Sequence, residues 1–168
     1  YTITAQKRAM IAKGQRDLSK LVSANQSSNV AINGELHMVL TQGSKTTILT
    51  PNGVDEAYNW ASLSPDGTKI LYYVSGKGCY TCDLHGNNVH YIALDCRAPQ
   101  WYGNNIIIGM HDEDNGKWLT ASAIVAYNLQ GQKQILVNKE YLAIYPYAAN
   151  GKIAFSTANG EIYLMHVK

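Results

Sequence analysis

The stretch that decides the fold is Ser64-Pro65-Asp66-Gly67-Thr68-Lys69-Ile70-Leu71-Tyr72. It begins as a tight turn, in which Pro fixes φ at the second position, Asp hydrogen-bonds the backbone and Gly takes the left-handed conformation. It then continues as an apolar run as far as Val74, with no alternating polar residues. Because such a run needs cover on both faces, it predicts a strand in a sheet that lies between two other layers.

Similar turns recur along the chain. Residues 33–39, Asn-Gly-Glu-Leu-His-Met-Val, read like residues 159–165, Asn-Gly-Glu-Ile-Tyr-Leu-Met. Residues 1–14 align with residues 118–131 without a gap. A stretch of about 40 residues separates equivalent turns, and this period is typical of the blades of a propeller.

One unit can be written out over residues 58–94. A short strand ends near Leu63, and further strands are predicted at 70–74, 79–84 and 89–94, with Gly-containing turns between them. Four antiparallel strands joined by short turns make one blade. We therefore predict an all-β fold, a β-propeller of four-stranded antiparallel blades that forms a partial ring of about four blades. The predicted segments of this single propeller unit, residues 1–168, are 1–24 (partial), 25–50, 54–95, 97–138 and 141–168 (partial).

The opening segment has a second interpretation. Residues 5–12, Ala-Gln-Lys-Arg-Ala-Met-Ile-Ala, have high helix propensity. Their gap-free match to the strand-like residues 122–129 favours a strand instead, and a helix there remains the alternative.

Composition agrees with a β protein and excludes some partners. The chain has 12 Tyr against 1 Phe, 14 Gly, and only 15% charged residues. Its net charge of +2 gives no signature for nucleic acid, and the basic residues of the opening segment are interpreted as a solvated strand edge. No apolar run approaches the roughly 20 residues of a membrane-spanning helix, so no membrane span is expected. The basic residues in question are Lys7, Arg8, Lys13 and Arg16.

The turn and strand at residues 64–72 resemble the PD40 (WD40-like) repeat, whose hallmark is a Ser-Pro-Asp-Gly turn followed by an apolar strand. Leu63 stands where the repeat usually has an aromatic residue, and the other copies keep only the Gly of the turn. The chain is similar to the propellers of TolB-like proteins and of dipeptidyl-peptidase-IV-class (prolyl-oligopeptidase-like) serine peptidases. The first resemblance implies a protein-binding module of the Gram-negative envelope, which is expected to be periplasmic or extracellular, with association with the outer membrane as a further expectation. The second implies an accessory propeller whose hydrolase domain lies outside this chain.

The residues favour a binding protein over an enzyme. No Gly-x-Ser-x-Gly nucleophile elbow occurs in the chain, and its five His residues share no spacing. We therefore expect a non-catalytic scaffold with no cofactor, which recognises a protein or a glycan. An elbow encoded beyond Lys168 would instead favour the peptidase alternative.

Two weaker site hypotheses concern metals and thiols. The sequence His111-Asp112-Glu113-Asp114-Asn115-Gly116 resembles the start of a calcium loop, with Asp112 and Asp114 as weak candidate ligands, but it lacks the distal Glu of that motif. A solvated loop between two strands is the preferred interpretation. Cys79 and Cys82 share a predicted strand and point to opposite faces, while Cys96 follows a neighbouring strand. Whether any of the three forms a disulfide stays open.

One face of the predicted propeller gathers the candidate binding residues. Loops between blades and turns between second and third strands emerge on the same face. Exposed aromatic and Arg side chains are common anchors of interfaces. The alternative for Trp60, and for Trp101, is that the indole fills the gap between two blades. The candidates on this face are Tyr58, Trp60, Arg97, Trp118, Tyr141 and Tyr145.

The two ends of the chain are expected to be open. The pattern starts in mid-blade at Tyr1, and the last blade has three strands. We therefore expect either further N-terminal blades or a second copy of the chain to cover the ends. Exposing several hundred Å² of apolar surface would cost on the order of 10 kcal/mol at about 25 cal/mol per Å². The apolar residues expected to lie partly open are Ile153, Phe155, Ile162 and Leu164.

Overall fold

A computed structural model describes residues 28–166, which form four antiparallel sheets and one short 3-10 helix, Lys139–Tyr141. Sheet I contains β1 (Asn29–Ile32), β2 (Met38–Gln42) and β3 (Lys45–Leu49). Sheet II contains β4 (Tyr58–Leu63), β5 (Lys69–Val74), β6 (Gly78–Asp83) and β7 (His90–Ala93). Sheet III contains β8 (Arg97–Tyr102), β9 (Ile106–Asp114), β10 (Leu119–Asn128) and β11 (Lys133–Val137). Sheet IV contains β12 (Ala143–Ala149), β13 (Lys152–Thr157) and β14 (Ile162–His166).

These sheets confirm the all-β prediction. Every sheet follows chain order, and neighbouring strands are antiparallel. The opening residues predicted as strands or as a helix lie outside the described residues, as do the four basic residues among them. Among residues 28–166, no helix is long and apolar enough to cross a membrane.

The Ser-Pro-Asp-Gly turn connects β4 to β5 through a dense set of hydrogen bonds. The Ser64 hydroxyl donates to Asp66 Oδ1 (2.6 Å) and accepts from the backbone N–H of Lys69 (2.9 Å). The same Asp66 oxygen accepts from the backbone N–H and the hydroxyl of Thr68, at 3.1 and 2.8 Å. The backbone N–H of Asp66 donates to Asn104 Oδ1 in the β8–β9 turn, so the turn also links sheet II to sheet III. The Ser-Pro-Asp-Gly sequence thus forms a turn held by its own hydrogen bonds and also provides a contact between two sheets.

Three apolar cores join the four sheets face to face. The β5 strand is buried along almost its whole length, because alternate side chains enter the cores on its two sides. Leu71 and Tyr73 pack towards sheet III, whereas Ile70 and Tyr72 pack towards sheet I. Sheets III and IV share the third core. This arrangement confirms that continuous apolar runs mark strands covered on both faces.

Trp101 fills the junction between sheets II and III. It is 8% exposed, and its indole N–H donates to the backbone oxygen of Ser62 in sheet II (3.3 Å). Trp101 therefore fills the gap between two blades, as the alternative interpretation predicted. Trp60 does not fill such a gap, because its side chain is 38% exposed.

The open end of sheet IV differs in part from the prediction. Ile153 and Phe155 are buried, because they face sheet III in the third core. Ile162 and Leu164 are exposed, at 76% and 37%, because they lie on the face of β14 opposite to Met165, which packs into the third core. The prediction was wrong for the first pair and correct for the second.

Loss of the Asp66 hydrogen bonds should destabilise the fold in a pH-dependent way. The hydrogen bonds from Ser64 and Thr68 lower the pKa of Asp66 to about 2. In the unfolded chain the pKa of an Asp is about 3.9. Because the pKa of Asp66 is lower in the folded state, its ionised form stabilises the fold at any pH above the unfolded pKa. This contribution is lost as the pH falls through the folded-state pKa. We expect Asp66→Asn to be less stable than the wild type at pH 7, with a difference that shrinks between about pH 4 and pH 2. Urea unfolding at several pH values, with the exposed Asp55→Asn as control, measures this, and a difference independent of pH would contradict it.

The two tryptophans of sheet III should differ sharply in their effect on stability. Trp101→Ala leaves a cavity between sheets II and III and should lower the free energy of unfolding by about 3–5 kcal/mol. Trp118→Ala removes a side chain that is 66% exposed and should change it by about 0.5 kcal/mol or less. Denaturant unfolding followed by circular dichroism compares the two variants. Equal effects would show that Trp101 does not fill the junction.

Candidate functional site

Because neighbouring strands are antiparallel, every second connection along the chain lies at the same edge of the sheets. In sheets II and III, the start of the first strand, the turn between second and third strands, and the end of the fourth strand share this edge. All six sequence-predicted candidates lie near it, at the starts of β4, β8 and β12, in the β9–β10 turn, or in the β11–β12 connection. They do not form a single cluster, and the structure brings only two of them together.

Trp60 and Arg97 line the same cleft at the junction of sheets II and III. The cleft has a volume of about 400 Å³ and opens to solvent. Its walls come from β4, from the end of β5 with the turn that follows, and from the start of β8. The lining residues are Asn59, Trp60, Tyr73, Ser75, Gly76 and Arg97.

Trp60 owes its position to a bulge in β4. Two residues, Trp60 and Ala61, lie between the paired positions Asn59 and Ser62, whereas Tyr73 and Leu71 on β5 have one residue between them. Trp60 itself has φ 51°, in the left-handed region that a non-glycine residue seldom adopts. Residues in such conformations cost of order 1–3 kcal/mol and often occur at functional sites.

The same bulge recurs in the next two sheets. Ala98 in β8 has φ 46° and Tyr145 in β12 has φ 49°, and each lies at a shift in strand register. Ala98 is small and is buried in the core between sheets III and IV. Trp60 is therefore the one of these three residues that presents a large side chain at a junction between two described sheets.

Trp60 is held against Tyr73, its neighbour across the strand pair. The two rings lie edge to face, with centroids 5.4 Å apart and an interplanar angle of 69°. Tyr73 is buried, which raises the pKa of its hydroxyl, so the group stays protonated at neutral pH. The pair gives the cleft a rigid aromatic wall.

Arg97 is fixed by a buried carboxylate. Its Nη1 donates to Asp112 Oδ2 at 2.8 Å, and the Asp112 side chain is only 8% exposed. The other oxygen, Asp112 Oδ1, is buried and accepts no hydrogen bond from the described residues. A buried carboxylate with one partner is a poor source of net stability, and here it holds the guanidinium of Arg97, which lines the cleft.

The position of Asp112 corrects two sequence predictions. Residues 111–114 are not a loop, because β9 runs to Asp114 and pairs with β10 through Asp112↔Ser122 and Glu113↔Ala121. The carboxylates of Asp112 and Asp114, the two candidate calcium ligands, also have other partners. Asp112 pairs with Arg97, Asp114 accepts from the backbone N–H of Gly116 (2.7 Å), and in the described part of the chain no three His, Cys, Asp or Glu side chains converge on a metal site.

Tyr58 is not part of the accessible surface. It is fully buried between sheets I and II, where its hydroxyl donates to the Gly53 oxygen (3.0 Å) and accepts from the Asn52 N–H (2.8 Å). The loop between β3 and β4 closes over the ring. Tyr58 therefore holds this loop in place, and the prediction that it contacts a ligand was wrong for this reason.

The remaining candidates are exposed but lie away from the cleft. Trp118 lies in the β9–β10 turn beside Lys117, whose Nζ is 5.6 Å from its ring centroid. Tyr141 ends the 3-10 helix, and Tyr145 lies on β12. All three have large exposed side chains, and none of them is among the residues that line the cleft.

His111 belongs to a separate polar network. Its Nδ1 lies 3.1 Å from Asp95 Oδ2 and 3.0 Å from Lys133 Nζ, and the Tyr127 hydroxyl donates to Asp95 Oδ1 (2.8 Å). Burial opposes ionisation of Asp95, but the hydrogen bonds from Lys133 and Tyr127 outweigh it and lower its pKa. The network links sheet III to the β7–β8 connection and does not reach the cleft lining.

The three cysteines are buried thiols in two different cores. Cys82 lies between sheets I and II, whereas Cys79 and Cys96 lie between sheets II and III. The opposite orientation of Cys79 and Cys82 matches the prediction from their spacing. Burial raises the pKa of Cys82 to about 12, and burial, followed by the contact with Cys96, raises the pKa of Cys79.

Sequence reasoning missed four residues of the cleft. Asn59, Tyr73, Ser75 and Gly76 join Trp60 and Arg97 in its lining. Ser75 and Gly76 lie in the turn between the second and third strands of sheet II, so the rule that put such turns on the binding face could have included them. No sequence signal marks the bulge, because the left-handed residue is Trp rather than Gly.

Comparison with known proteins shows the fold. No family model and no curated protein matches the chain. Among solved structures, an oligogalacturonate lyase in complex with manganese matches with a TM-score of 0.55 and 15% identity, over 77% of this chain and 43% of that chain. TolB from Acinetobacter baumannii matches with a TM-score of 0.52 and 16% identity, over 84% of this chain and 41% of that chain.

Both structures are β-propellers, and the chain has the fold of a partial propeller. It spans less than half the length of either of these two chains. At this level of identity the similarity establishes architecture, and it transfers neither the lyase chemistry nor any partner.

The buried thiols should be unreactive until the protein unfolds. At pH 8 a disulfide reagent such as DTNB should react with the thiols of the native protein at least about 100-fold more slowly than in urea. Burial blocks access to all three thiols, and the raised pKa of Cys79 and of Cys82 also suppresses their thiolate forms. All three should react in urea. Rapid native reaction of Cys82, located by peptide mass mapping, would show that sheets I and II do not cover it.

Proposed function

We propose that this chain is a non-catalytic, TolB-like propeller module of the bacterial cell envelope, which binds a protein or a glycan at the cleft between sheets II and III. The observation that supports this most strongly is the convergence of an exposed Trp60 and an oriented Arg97 in one cleft. Trp and Arg are over-represented among residues that dominate binding energy. The resemblance to TolB-like proteins, together with the propeller fold, supports the proposed envelope location.

The side chains of Trp60 and Arg97 are held in place in the unliganded protein, which favours binding. Trp60 is held by a bulge and an aromatic neighbour, and Arg97 by a buried carboxylate. Side chains that are already ordered lose less conformational entropy on binding, which favours affinity. The absence of a Gly-x-Ser-x-Gly elbow from the sequence supports a non-catalytic role.

Substitution of the cleft residues should weaken retention by envelope material. The probe is an immobilised envelope preparation from a Gram-negative bacterium, containing peptidoglycan sacculi and periplasmic proteins. Trp60→Ala and Arg97→Ala should each weaken retention by roughly 30-fold, as expected for a loss of about 2 kcal/mol at a dominant residue.

Two controls make this test specific. Trp118→Ala removes an equally large exposed indole outside the cleft and should leave retention unchanged. Asp112→Asn should weaken retention while leaving unfolding largely unaffected, because its effect acts through the orientation of Arg97. Failure of the wild-type protein to be retained, or equal retention of all these variants, would overturn the proposed function.

A further inference from the structure

We propose that the cleft between sheets II and III binds an uncharged saccharide, presented as a short segment of a glycan. This inference rests on the proposed binding function and identifies the class of its ligand. Four observations support it: the aromatic wall, the balanced charge, the unused hydrogen-bonding groups, and the size of the cleft.

The aromatic wall suits the apolar side of a sugar ring. A pyranose has one face made mainly of C–H groups and a rim of hydroxyls. The electron-rich face of an indole attracts such weakly positive hydrogens, and the contact also removes apolar surface from water. Trp60 lines the cleft, is 38% exposed, and is held by an edge-to-face contact with Tyr73.

The charges at the cleft are already balanced, which disfavours an anionic ligand. Arg97 pairs with Asp112, and Lys77, which follows Gly76 in the rim turn, pairs with Glu56. An incoming phosphate or carboxylate would meet a guanidinium that a buried carboxylate has partly neutralised. An uncharged ligand avoids both the repulsion from Asp112 and the desolvation cost of a second anion.

The polar groups that remain are complementary to hydroxyls. Asn59 Nδ2 donates to Ser75 Oγ at 2.9 Å, which leaves the Asn59 carbonyl oxygen as an acceptor and the Ser75 hydroxyl hydrogen as a donor. A guanidinium has five N–H donors, and the described hydrogen bond of Arg97 uses one of them. Sugar hydroxyls both donate and accept, so one ring could satisfy all three side chains.

The size of the cleft agrees with a short saccharide. A volume of about 400 Å³ falls within the range of small-molecule sites, roughly 300–1,000 Å³, near its lower end. A folded protein surface would instead need a broad apolar contact area, of the order of 800 Å² on each partner. The lining of this cleft is mainly polar, and its aromatic side chains are the single pair Trp60 and Tyr73.

The recurring bulge supplies a matched variant for the test. Ala98 occupies the equivalent left-handed position in β8, so Trp60→Ala places in β4 a residue that this backbone conformation already accepts. The variant should fold, and its circular dichroism and unfolding midpoint verify this. Asn59→Ala and Ser75→Ala remove the polar groups without altering the aromatic wall.

The experiment is a titration followed by two-dimensional ¹H–¹⁵N NMR of the indole N–H groups. The chain has three Trp residues, so each gives one indole signal that can be assigned by substitution. The probes are uncharged saccharides (N-acetylglucosamine oligomers, maltose and cellobiose), the acidic sugar galacturonate, and a mixture of periplasmic proteins. We expect at least one uncharged saccharide to shift the Trp60 signal saturably, with little effect of salt and no effect on Trp118.

Trp60→Ala should abolish this binding, which isothermal titration calorimetry measures because the variant lacks the Trp60 signal. Asn59→Ala or Ser75→Ala should weaken binding by roughly 5-fold, as expected for loss of one hydrogen bond of about 1 kcal/mol. Binding of galacturonate alone, with affinity that falls steeply with salt, would overturn the inference and leave the proposed function standing. So would a protein that shifts the Trp60 signal when no sugar does. If no probe shifts Trp60 and the envelope preparation does not retain the wild type, both the inference and the proposed function are wrong.

Discussion

The burial of β5 between two apolar cores is the constraint on which the rest of the structure depends. Its side chains enter the core with sheet I on one face and the core with sheet III on the other. Neither face could be left in water without losing much of the stability of a domain of this size. Stacking of successive sheets is therefore required by the sequence of a single strand, and the same logic repeats through sheet III.

The candidate site is a by-product of that stacking. Where two sheets meet at the edge that carries the connecting loops, the first strand of one sheet lies beside the second and third strands of its predecessor. Trp101 seals the interior of the junction, and the bulged Trp60 with Arg97 forms the open cleft above it. Trp101 and Trp60 thus lie at the same junction, and Trp60 lies nearer to the edge that carries the connecting loops.

The features that sequence reasoning predicted are those determined locally. The strands of sheet II follow from apolar runs and Gly-containing turns, and the Ser64–Gly67 turn forms within a few residues. Tyr58 could not be placed, because its burial depends on a loop that returns from β3. Asp112 was assigned to a loop for a similar reason, since a polar segment becomes strand only when a long partner, here β10, pairs with it. The bulge at Trp60 gives no compositional signal, so the cleft could be recognised only from three-dimensional structure.

The central claim is that packing of sheet III on sheet II creates both the sealed junction and the cleft. Nuclear Overhauser contacts in the unliganded protein test it most directly. We predict contacts from the Trp101 indole N–H to protons of Ser62 and Leu63, and from the Trp60 ring to the Tyr73 ring, whose centroids are 5.4 Å apart. Well-dispersed spectra that lack the Trp101 contacts to sheet II, or that show Trp60 remote from Tyr73, would contradict the account.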